Sequence, residues 1–322
     1  MKHLFIVNPV AGGRDSSPFV AAEASRALAG VPYEIYITTG PGDATRRVRE
    51  EAQTGVEAYV YACGGDGTLN ECISGAVGAE NLAVTHFPCG TGNDFTKMFG
   101  AELALFSDLS LLAEGEVRPL DVIACNDRYC VNICSVGVDA RIGTDVHKYS
   151  RLPLVGGALG YVISTAVNLV KGINRPMRVT VGDRSFDGDM ALACACNGRW
   201  YGGFFHPAPD ARPDDGLLDI LVVPGVSRLT CLRIIVPYAK GQFRRFPEYI
   251  THLRGTDMHM EAEEDFVVSL DGECMVCRRL SVHLLPGGVR FLCPRNMEFF
   301  RQAGPKTDKT ASKIEFSAAN RL

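Results

Sequence analysis

Short apolar runs alternate with stretches of helical spacing through the first third of the chain. The apolar runs cover residues 3–7, 33–37, 58–62 and 82–87. Runs of this length are typical of strands buried on both faces, and their alternation with helices favours a parallel sheet. The pattern therefore predicts an α/β domain over residues 1–120, with helices on both faces of its sheet.

After residue 120 the pattern changes to consecutive strands. A turn at Asn126 and Asp127 separates two strand-like runs and predicts a hairpin. Further runs with strand character follow at residues 177–181, 190–196, 217–223, 266–270, 280–285 and 289–293. Such a series predicts a β-sandwich or an open barrel over residues 121–295. The polar residues 302–322 are predicted to be disordered.

Residues 63–71 read Cys-Gly-Gly-Asp-Gly-Thr-Leu-Asn-Glu and directly follow the third apolar run. Three glycines let the backbone approach a bulky anion with its N–H groups pointing inward. The carboxylate of Asp66 would repel a phosphate unless a cation lay between them, which indicates a nucleotide polyphosphate with Mg²⁺. Thr68 is expected to cap a helix that starts at Leu69 and aims its N-terminus at the anion. The alternative is an ordinary tight turn, because Asp-Gly is a common turn dipeptide.

Three more strands end in comparable turns, at residues 8–13, 38–44 and 90–95. The carboxyl ends of parallel strands meet at one edge of a sheet, and ligands of open α/β sheets bind at that edge. The chain has neither a P-loop nor a Rossmann glycine fingerprint, and it lacks the protein-kinase motif set. These patterns leave a nucleotide site of a less common kind.

Composition indicates which classes of protein can be excluded and in which cellular compartment the chain is expected. A net charge of −4 argues against a nucleic-acid binder, so no nucleic-acid partner is expected. No signal peptide is expected, and most of the 12 cysteines lie in apolar runs, which predicts reduced thiols in a cytoplasm. Cys274 and Cys277 have the spacing of a zinc or redox pair but lack the second pair of a structural zinc site.

Residues 152–170 carry no charged side chain. Their glycines, Pro153 and several polar residues make a buried core helix a better interpretation than a membrane span. A second alternative is an apolar helix that admits acyl chains or touches a bilayer. The flanking basic residues would suit anionic headgroups, namely Arg141, Lys148, Arg151, Lys171 and Arg175.

The second half of the chain contains two acidic turns. Asp271 and Glu273 lie two positions apart, so they share a face of a regular strand, although an ordinary Asp-Gly hairpin explains the spacing equally well. Phosphoryl transfer to an alcohol needs a carboxylate that accepts the hydroxyl proton. The other turn, Asp214-Asp215-Gly216, looks by itself like a plain connection between strands.

These motifs together resemble a known family. Asn8 with Gly12, residues 64–68 with Asn70 and Glu71, and residues 90–95 occur in the order and spacing of the diacylglycerol kinase catalytic-domain family. The sequence is most similar to the soluble bacterial lipid kinases of the diacylglycerol kinase and YegS-like type, which are similar to sphingosine and ceramide kinases. The likeness extends through residues 214–219 and 270–273, and so covers nearly the whole chain.

The resemblance implies a fold and a set of site residues. The fold would combine an N-terminal Rossmann-like α/β domain with a C-terminal β-sandwich domain, with the active site in the cleft between them and residues 296–322 returning to the first domain. Asp271 would be the general base, Glu273 its polar neighbour, and Asp66 would face the metal-bound phosphates. Asn93 and Asp94 would order the cleft or approach the acceptor substrate. ATP would lie across Asn8, Gly12, Thr38, Gly64, Gly65, Asp66, Gly67, Thr68, Asn70, Glu71 and Thr91.

The resemblance also implies a structural Mg²⁺. Its ligands would be the Asp215 carboxylate and the carbonyls of Arg212 and Leu217. Because Pro213 and Asp214 precede Asp215, the path of this loop differs from the family pattern. Few protein ligands completed by several waters suit Mg²⁺.

The sequence therefore predicts an ATP-dependent lipid kinase that converts diacylglycerol to phosphatidate with ATP and Mg²⁺. Its partner would be a lipid substrate at a membrane surface, reached from the cytoplasm by peripheral contact with the inner face of the membrane. Homodimers occur in the family, so a homodimer is an open alternative. Two other functions stay open: an NAD kinase-like phosphotransferase, and a catalytically weak protein that binds lipid or nucleotide.

Overall fold

The computed structural model describes residues 1–138, 140–141, 167 and 172–301. The apolar segment 152–170, except Val167, and the polar tail 302–322 lie outside the described residues. The first part of the chain alternates strands with helices, as its apolar pattern predicts. Its elements are β1 (Lys2–Val7), α1 (Ser17–Ala27), β2 (Tyr33–Ile37), α2 (Asp43–Gln53), β3 (Ala58–Gly64), α3 (Asp66–Ala76), β4 (Leu82–Pro88), α4 (Asp94–Lys97) and α5 (Leu109–Ala113).

The first four strands form a parallel sheet in the order β4-β3-β1-β2. Phe5 on β1 lies opposite Ile35 on β2 and Tyr61 on β3, so the register aligns the strand ends. The apolar side chains of β1, β3 and β4 are almost completely buried because helices cover both faces. All four glycine turns therefore leave the sheet at its carboxyl edge, as the sequence predicts.

The second part of the chain is built mainly from antiparallel strands. Among the described residues the strand order continues as β11-β10-β9-β7-β12-β13, and β13 joins the parallel sheet beside β4. The elements are β5 (Glu116–Cys125), β6 (Arg128–Cys130), β7 (Ile133–Gly137), β8 (Arg175–Val181), β9 (Arg184–Cys196), β10 (Leu218–Pro224), α6 (Arg228–Ala239), β11 (Thr251–Gly255), β12 (Asp257–Leu270), β13 (Glu273–Cys293) and α7 (Glu298–Arg301).

Strand β13 belongs to both halves of the molecule. Its first part pairs with β12 and its last part pairs with β5, with a register shift between Leu285 and Val289. Residues 280–285 and 289–293, which the sequence predicts as separate strands, are thus one strand with a bulge. The last residues of β13, together with Met297 and Phe299, pack into the hydrophobic core of the first domain.

One local prediction needs correction. Helix α3 begins at Asp66 with Gly65 as its N-cap residue, so Thr68 does not cap a helix starting at Leu69. Thr68 is buried in the first turn, and its hydroxyl accepts a hydrogen bond from Asn8 Nδ2 at 3.3 Å. The structure also contains helix α6 and strand β11, which the sequence patterns did not predict.

Candidate active site

Two glycine turns lie in direct contact at the carboxyl edge of the sheet. A Cβ built on Gly90, after β4, would lie 2.5 Å from the Cα of Gly65, after β3. A Cβ on Gly12, after β1, would lie 2.5 Å from the carbonyl oxygen of Cys89, and Gly12 has a φ of 68°. Three of the four turns thus approach each other more closely than side chains would allow. Glycine is required here for close packing of backbone, and glycine turns of this kind are typical of anion sites.

Gly64 and Thr68 fit against each other within the third turn. A Cβ on Gly64 would lie 2.2 Å from Thr68 Oγ1. The same hydroxyl accepts from the amide of Asn8, which joins the first turn to helix α3. Asn8 also accepts the N–H of Val10 through its side-chain oxygen, at 3.2 Å. Asn8 and Thr68 therefore hold the turns in position.

Asp66 connects the third turn to the fourth. Its Oδ1 accepts the backbone N–H of Phe95, in the first turn of α4, at 3.1 Å. A Cβ on Gly92 would lie 2.8 Å from its Oδ2, so a larger residue there would have to displace this carboxylate. One oxygen of this carboxylate is thus occupied by the protein itself, while the residue remains partly exposed at the turn.

Glu71 and Thr38 shape the turn after β2. The carboxylate of Glu71 accepts the N–H groups of Gly42 at 2.9 Å and Ala44 at 3.1 Å, and so holds the N-terminus of α2. Thr38 donates its hydroxyl to the carbonyl of Val7 at 3.3 Å. Glu71 therefore shapes the carboxyl edge of the sheet by fixing this turn. Thr91 lies exposed on the fourth turn.

Asp271 lies in the turn between β12 and β13 and faces helix α3. Its Oδ1 accepts the N–H groups of Asn132 at 3.0 Å and Ile133 at 2.9 Å. Its Oδ2 accepts the N–H of Val131 at 2.8 Å and the side-chain amide of Asn70 at 3.0 Å. Asp271 itself has a left-handed φ of 51°. Donors from both halves of the molecule thus converge on one carboxylate.

Burial raises the pKa of Asp271 to about 6, although all four hydrogen bonds favour its ionised form and lower the pKa. A carboxylate that titrates near this value is ionised at neutral pH and still takes up a proton readily. The exposed Glu273 lies close by, with its Oε1 3.5 Å from a Cβ built on Gly67. The structure thus brings the predicted base and its neighbour to the N-terminus of α3.

Asp94 joins α4 to the hairpin at residues 201–205. Its Oδ1 accepts from Lys97 Nζ at 2.6 Å and its Oδ2 accepts the N–H of Gly203 at 2.8 Å. Lys97 also donates to the carbonyl of Gly203 at 2.7 Å. Asn93, with a left-handed φ of 51°, donates its amide to the Gly90 carbonyl at 2.8 Å. Both side chains therefore fix the fourth turn and α4, and the roles predicted for them toward the cleft and the acceptor stay predictions.

The turn at residues 212–217 lies away from these groups and is rich in charge. Arg212 donates to both oxygens of Asp214 at 2.9 Å, and also to the carbonyl of Phe299. The Asp215 side chain accepts the N–H of Leu217 at 3.1 Å and forms an ion pair with Arg254. A Mg²⁺ would have to displace that guanidinium, so this arrangement does not fit the ligand set implied for Asp215, Arg212 and Leu217. Within the described residues no cluster of three or more His, Cys, Asp or Glu side chains could hold a metal.

We expect chelation with EDTA to leave the unfolding temperature of the wild-type chain unchanged, because Arg254 already neutralises Asp215.

The variant Arg254→Met leaves the nearly buried Asp215 without its cation. The free energy of unfolding should fall by on the order of 2 kcal/mol, less than for a fully buried pair because Arg254 is partly exposed. Thermal unfolding measures both effects.

The matched control is Arg279→Met, which removes an exposed pair with Glu261 and should change the stability little. A wild-type unfolding temperature that drops in EDTA and returns with Mg²⁺ would contradict this account of the 212–217 turn.

Several contributors to the site escaped the sequence analysis. The backbone N–H groups of residues 131–133 carry no side-chain signal, so nothing in the sequence pointed to them. The sequence patterns did not single out Asp121, which accepts the N–H groups of Gly216 and Gly287, both at 2.8 Å. Burial raises the pKa of Asp121 to about 6. A carboxylate followed by a strand of apolar residues is the signal that could have marked it as a buried structural acid.

Comparison with known proteins agrees with this geometry. Residues 2–125 match the diacylglycerol kinase catalytic domain, and residues 132–293 match the YegS C-terminal NAD kinase beta sandwich-like domain. A probable lipid kinase YegS-like from Pseudomonas aeruginosa is 30% identical over 290 residues, which covers 89% of this chain and 93% of the relative. A relative of the same description from Shewanella frigidimarina is 25% identical over 86% of this chain and 90% of its own length.

The solved structures lead to the same class. The crystal structure of a diacylglycerol kinase from Bacillus anthracis superposes with a TM-score of 0.67 at 25% identity, covering 92% of this chain and 98% of that chain. The fold and these matches thus define a lipid kinase with a diacylglycerol kinase catalytic domain followed by a β-sandwich-like domain. The chain belongs to the diacylglycerol kinase catalytic-domain family and, within it, to the YegS-like lipid kinases. Among the described residues no helix has the length and apolar character needed to cross a bilayer.

Proposed function

We propose that this chain transfers the γ-phosphate of ATP to the free hydroxyl of diacylglycerol and so produces phosphatidate. One observation carries the proposal: Asp271 is held by donors from both halves of the molecule at the N-terminus of α3, beside the glycine turns. A nucleotide at those turns and an acceptor alcohol at Asp271 would meet in one cleft. The reaction takes place in the cytoplasm, at the inner face of the membrane.

The nucleotide binds along the carboxyl edge of the sheet. Its phosphates face the turns at Gly12, residues 64–68 and Thr91, where closely packed glycine backbone lets an anion approach the chain. Asn8 and Thr38 fix these turns from the neighbouring strands. ATP arrives as its Mg²⁺ complex, so the cation enters as part of the substrate and neutralises phosphate charge.

The transfer itself requires one proton acceptor. The acceptor hydroxyl oxygen attacks the γ-phosphorus, the bond between that phosphorus and the β,γ-bridging oxygen breaks, and ADP leaves with the electron pair. The hydroxyl proton passes to the carboxylate of Asp271. Because the pKa of Asp271 is raised to about 6, the base is ionised at neutral pH, and activity should fall as the pH drops below that value.

Asn70 controls access to the base. Asp271 accepts four hydrogen bonds, which use all of the lone-pair positions of a carboxylate. Three of the donors are backbone N–H groups, and the Asn70 amide is the one contributed by a side chain. It also donates to the carbonyl of Tyr129 at 3.0 Å. The acceptor hydroxyl therefore replaces Asn70 at Oδ2 when the domains close around the substrates.

For Asn70→Ala we expect the acidic limb of the pH profile of kcat/KM to move to higher pH. The substitution removes a donor that favours the ionised carboxylate, so the pKa of Asp271 rises further. The measurement is kcat/KM for the lipid acceptor between about pH 5 and about pH 8, a range that includes the raised pKa of Asp271. A profile that keeps the wild-type limb with a uniformly lower rate would mean that Asn70 serves only the fold.

The function itself is tested with γ-labelled ATP, Mg²⁺ and a panel of acceptors: diacylglycerol, monoacylglycerol, sphingosine, ceramide, phosphatidylglycerol and NAD. Label in diacylglycerol supports the proposal. Label in another lipid changes the acceptor, and label in NAD alone moves the chain to NAD kinase activity. Binding of ATP without labelling of any acceptor would indicate a catalytically weak binding protein.

A further inference from the structure

Helix α6 carries a continuous apolar stripe on its outer face. Leu229, Leu232 and Val236 are 80%, 53% and 57% exposed, and they lie three and four positions apart. Side chains with this spacing lie on one face of a helix. The opposite face, with Cys231 and Tyr238, is buried against the sheet. A helix packed on one side would ordinarily be polar on the other, so this stripe departs from the usual surface pattern.

The stripe lies within a strongly basic part of the chain. Between Asp219 and Glu248 the sequence has no acidic residue and carries Arg228, Arg233, Lys240, Arg244 and Arg245. Arg233 lies on the helix face of the stripe, four positions after Leu229, and Lys240 directly follows the last residue of α6. Both are exposed at the surface. Apolar side chains flanked by cations are the composition of an interfacial helix face that meets anionic headgroups.

A chain of contacts joins the buried face of α6 to the catalytic cleft. The hydroxyl of Tyr238 on α6 lies 3.4 Å from that of Tyr201, at the start of the 201–205 hairpin. Gly203 in this hairpin donates its N–H to Asp94 and accepts a hydrogen bond from Lys97 at its carbonyl. Helix α4, which carries both, supplies the N–H that Asp66 accepts. A lipid surface at α6 would therefore be held at a fixed position relative to the nucleotide turns.

We propose that the face of α6 formed by Leu229, Leu232, Val236 and Arg233, together with Lys240 at the end of the helix, docks the enzyme onto an anionic lipid bilayer. The three apolar side chains enter the boundary between headgroups and acyl chains, and the two cations pair with lipid phosphates. A net-negative enzyme is repelled by such a surface as a whole, so a local basic face is needed to orient it. The inference rests on the proposed function, since a kinase of diacylglycerol must reach its substrate in the bilayer.

The test is cosedimentation of the full chain with vesicles, measured without ATP or acceptor so that it does not depend on catalysis. The vesicles are phosphatidylcholine alone, or phosphatidylcholine with phosphatidylglycerol. We expect binding to the mixed vesicles that weakens with salt. Leu229→Ser, Leu232→Ser and Val236→Ser combined should reduce it about tenfold, as should Arg233→Gln with Lys240→Gln.

A matched triple variant keeps the result specific. Val31→Ser, Val56→Ser and Leu111→Ser remove three apolar side chains of the first domain that are 41%, 54% and 41% exposed, and should leave vesicle binding unchanged. Binding unaffected by the α6 substitutions, or equal on vesicles with and without phosphatidylglycerol, overturns the proposal. So does a wild-type dimer that the α6 triple variant converts to a monomer without loss of vesicle binding, because the face would then be a contact between copies.

Activity separates this proposal from the proposed function. With a short-chain diacylglycerol dissolved as monomers, the α6 variants should retain the wild-type rate, because the cleft is unchanged. With long-chain diacylglycerol in mixed vesicles their rate should fall in proportion to binding. If no diacylglycerol is phosphorylated in either form, the proposed function fails, and the vesicle result still decides whether α6 binds the bilayer.

Discussion

Asp271→Asn is expected to lower kcat for lipid phosphorylation by about 10³-fold, because the variant has no carboxylate to take the acceptor proton. ATP affinity should persist, since the glycine turns are built from other residues. In the wild type, backbone N–H groups donate to both oxygens of the carboxylate. In the variant, the NH₂ group of the asparagine is itself a donor and would face one of these N–H groups. This mismatch opposes the gain from removing a charge that burial disfavours, so the free energy of unfolding should change by less than about 3 kcal/mol. Labelled phosphate transfer, nucleotide binding and thermal unfolding are measured on the same preparation.

The control is Asp127→Asn, which makes the same chemical change in an exposed turn and should leave all three quantities at wild-type values. A folded Asp271→Asn variant that keeps its rate within a few-fold of wild type would remove Asp271 as the base. For the wild type, kcat/KM should rise through about pH 6, where the buried carboxyl loses its proton.

Gly90→Ala is expected to lower kcat/KM for ATP by about 10²-fold, an effect of the size that small misplacements of binding groups cause. The added methyl group would lie 2.5 Å from the Cα and 3.0 Å from the nitrogen of Gly65. Backbone cannot rotate aside as a long side chain can, so the two turns must separate. In the proposed complex with ATP, the backbone of these two turns would then no longer be aligned with the phosphates. Rates at varied ATP, together with direct nucleotide binding, measure the loss.

Gly255→Ala is the matched substitution at the end of β11. A Cβ there meets only Val181 Cγ1 at 3.9 Å, an ordinary contact, so ATP use should be unaffected. Equal kinetics in the two glycine variants would show that contact between the turns is not needed for nucleotide binding.

The alternation of apolar runs with helices predicted the parallel sheet and placed its glycine turns at one edge, because both follow from patterns local in sequence. The series of consecutive strands predicted a β-sandwich or an open barrel, and the family resemblance favoured the sandwich. The role that the resemblance implies for Asp271 stays a prediction. Helix α6 was not predicted, since its β-branched Ile234, Ile235 and Val236 with Pro237 favour other conformations over helix. Tertiary packing of its buried face overrides that preference.

The partners of single side chains could not be predicted. Asn70 and Glu71 were assigned to the nucleotide from their motif, yet Asn70 donates to Asp271, and Glu71 holds the N-terminus of α2. Arg254 and Asp215 form an ion pair although they lie 39 positions apart in the chain. The repeat of a helix or a strand does not predict contacts between residues so far apart in sequence. Which donors meet which acceptors depends on the long-range pairing of strands, and a single sequence does not encode that pairing as a local pattern.

The path of β13 has a consequence for synthesis of the protein. Phe291, Leu292 and Cys293 at its end, with Phe299 and Phe300 beyond it, belong to the core of the domain encoded first. Domains generally fold as units while the ribosome is still translating. Here the nascent N-terminal domain has to wait, with part of its apolar interior uncovered, until about residue 300 has left the ribosome. The domain translated first is therefore among the last parts of the molecule to be completed.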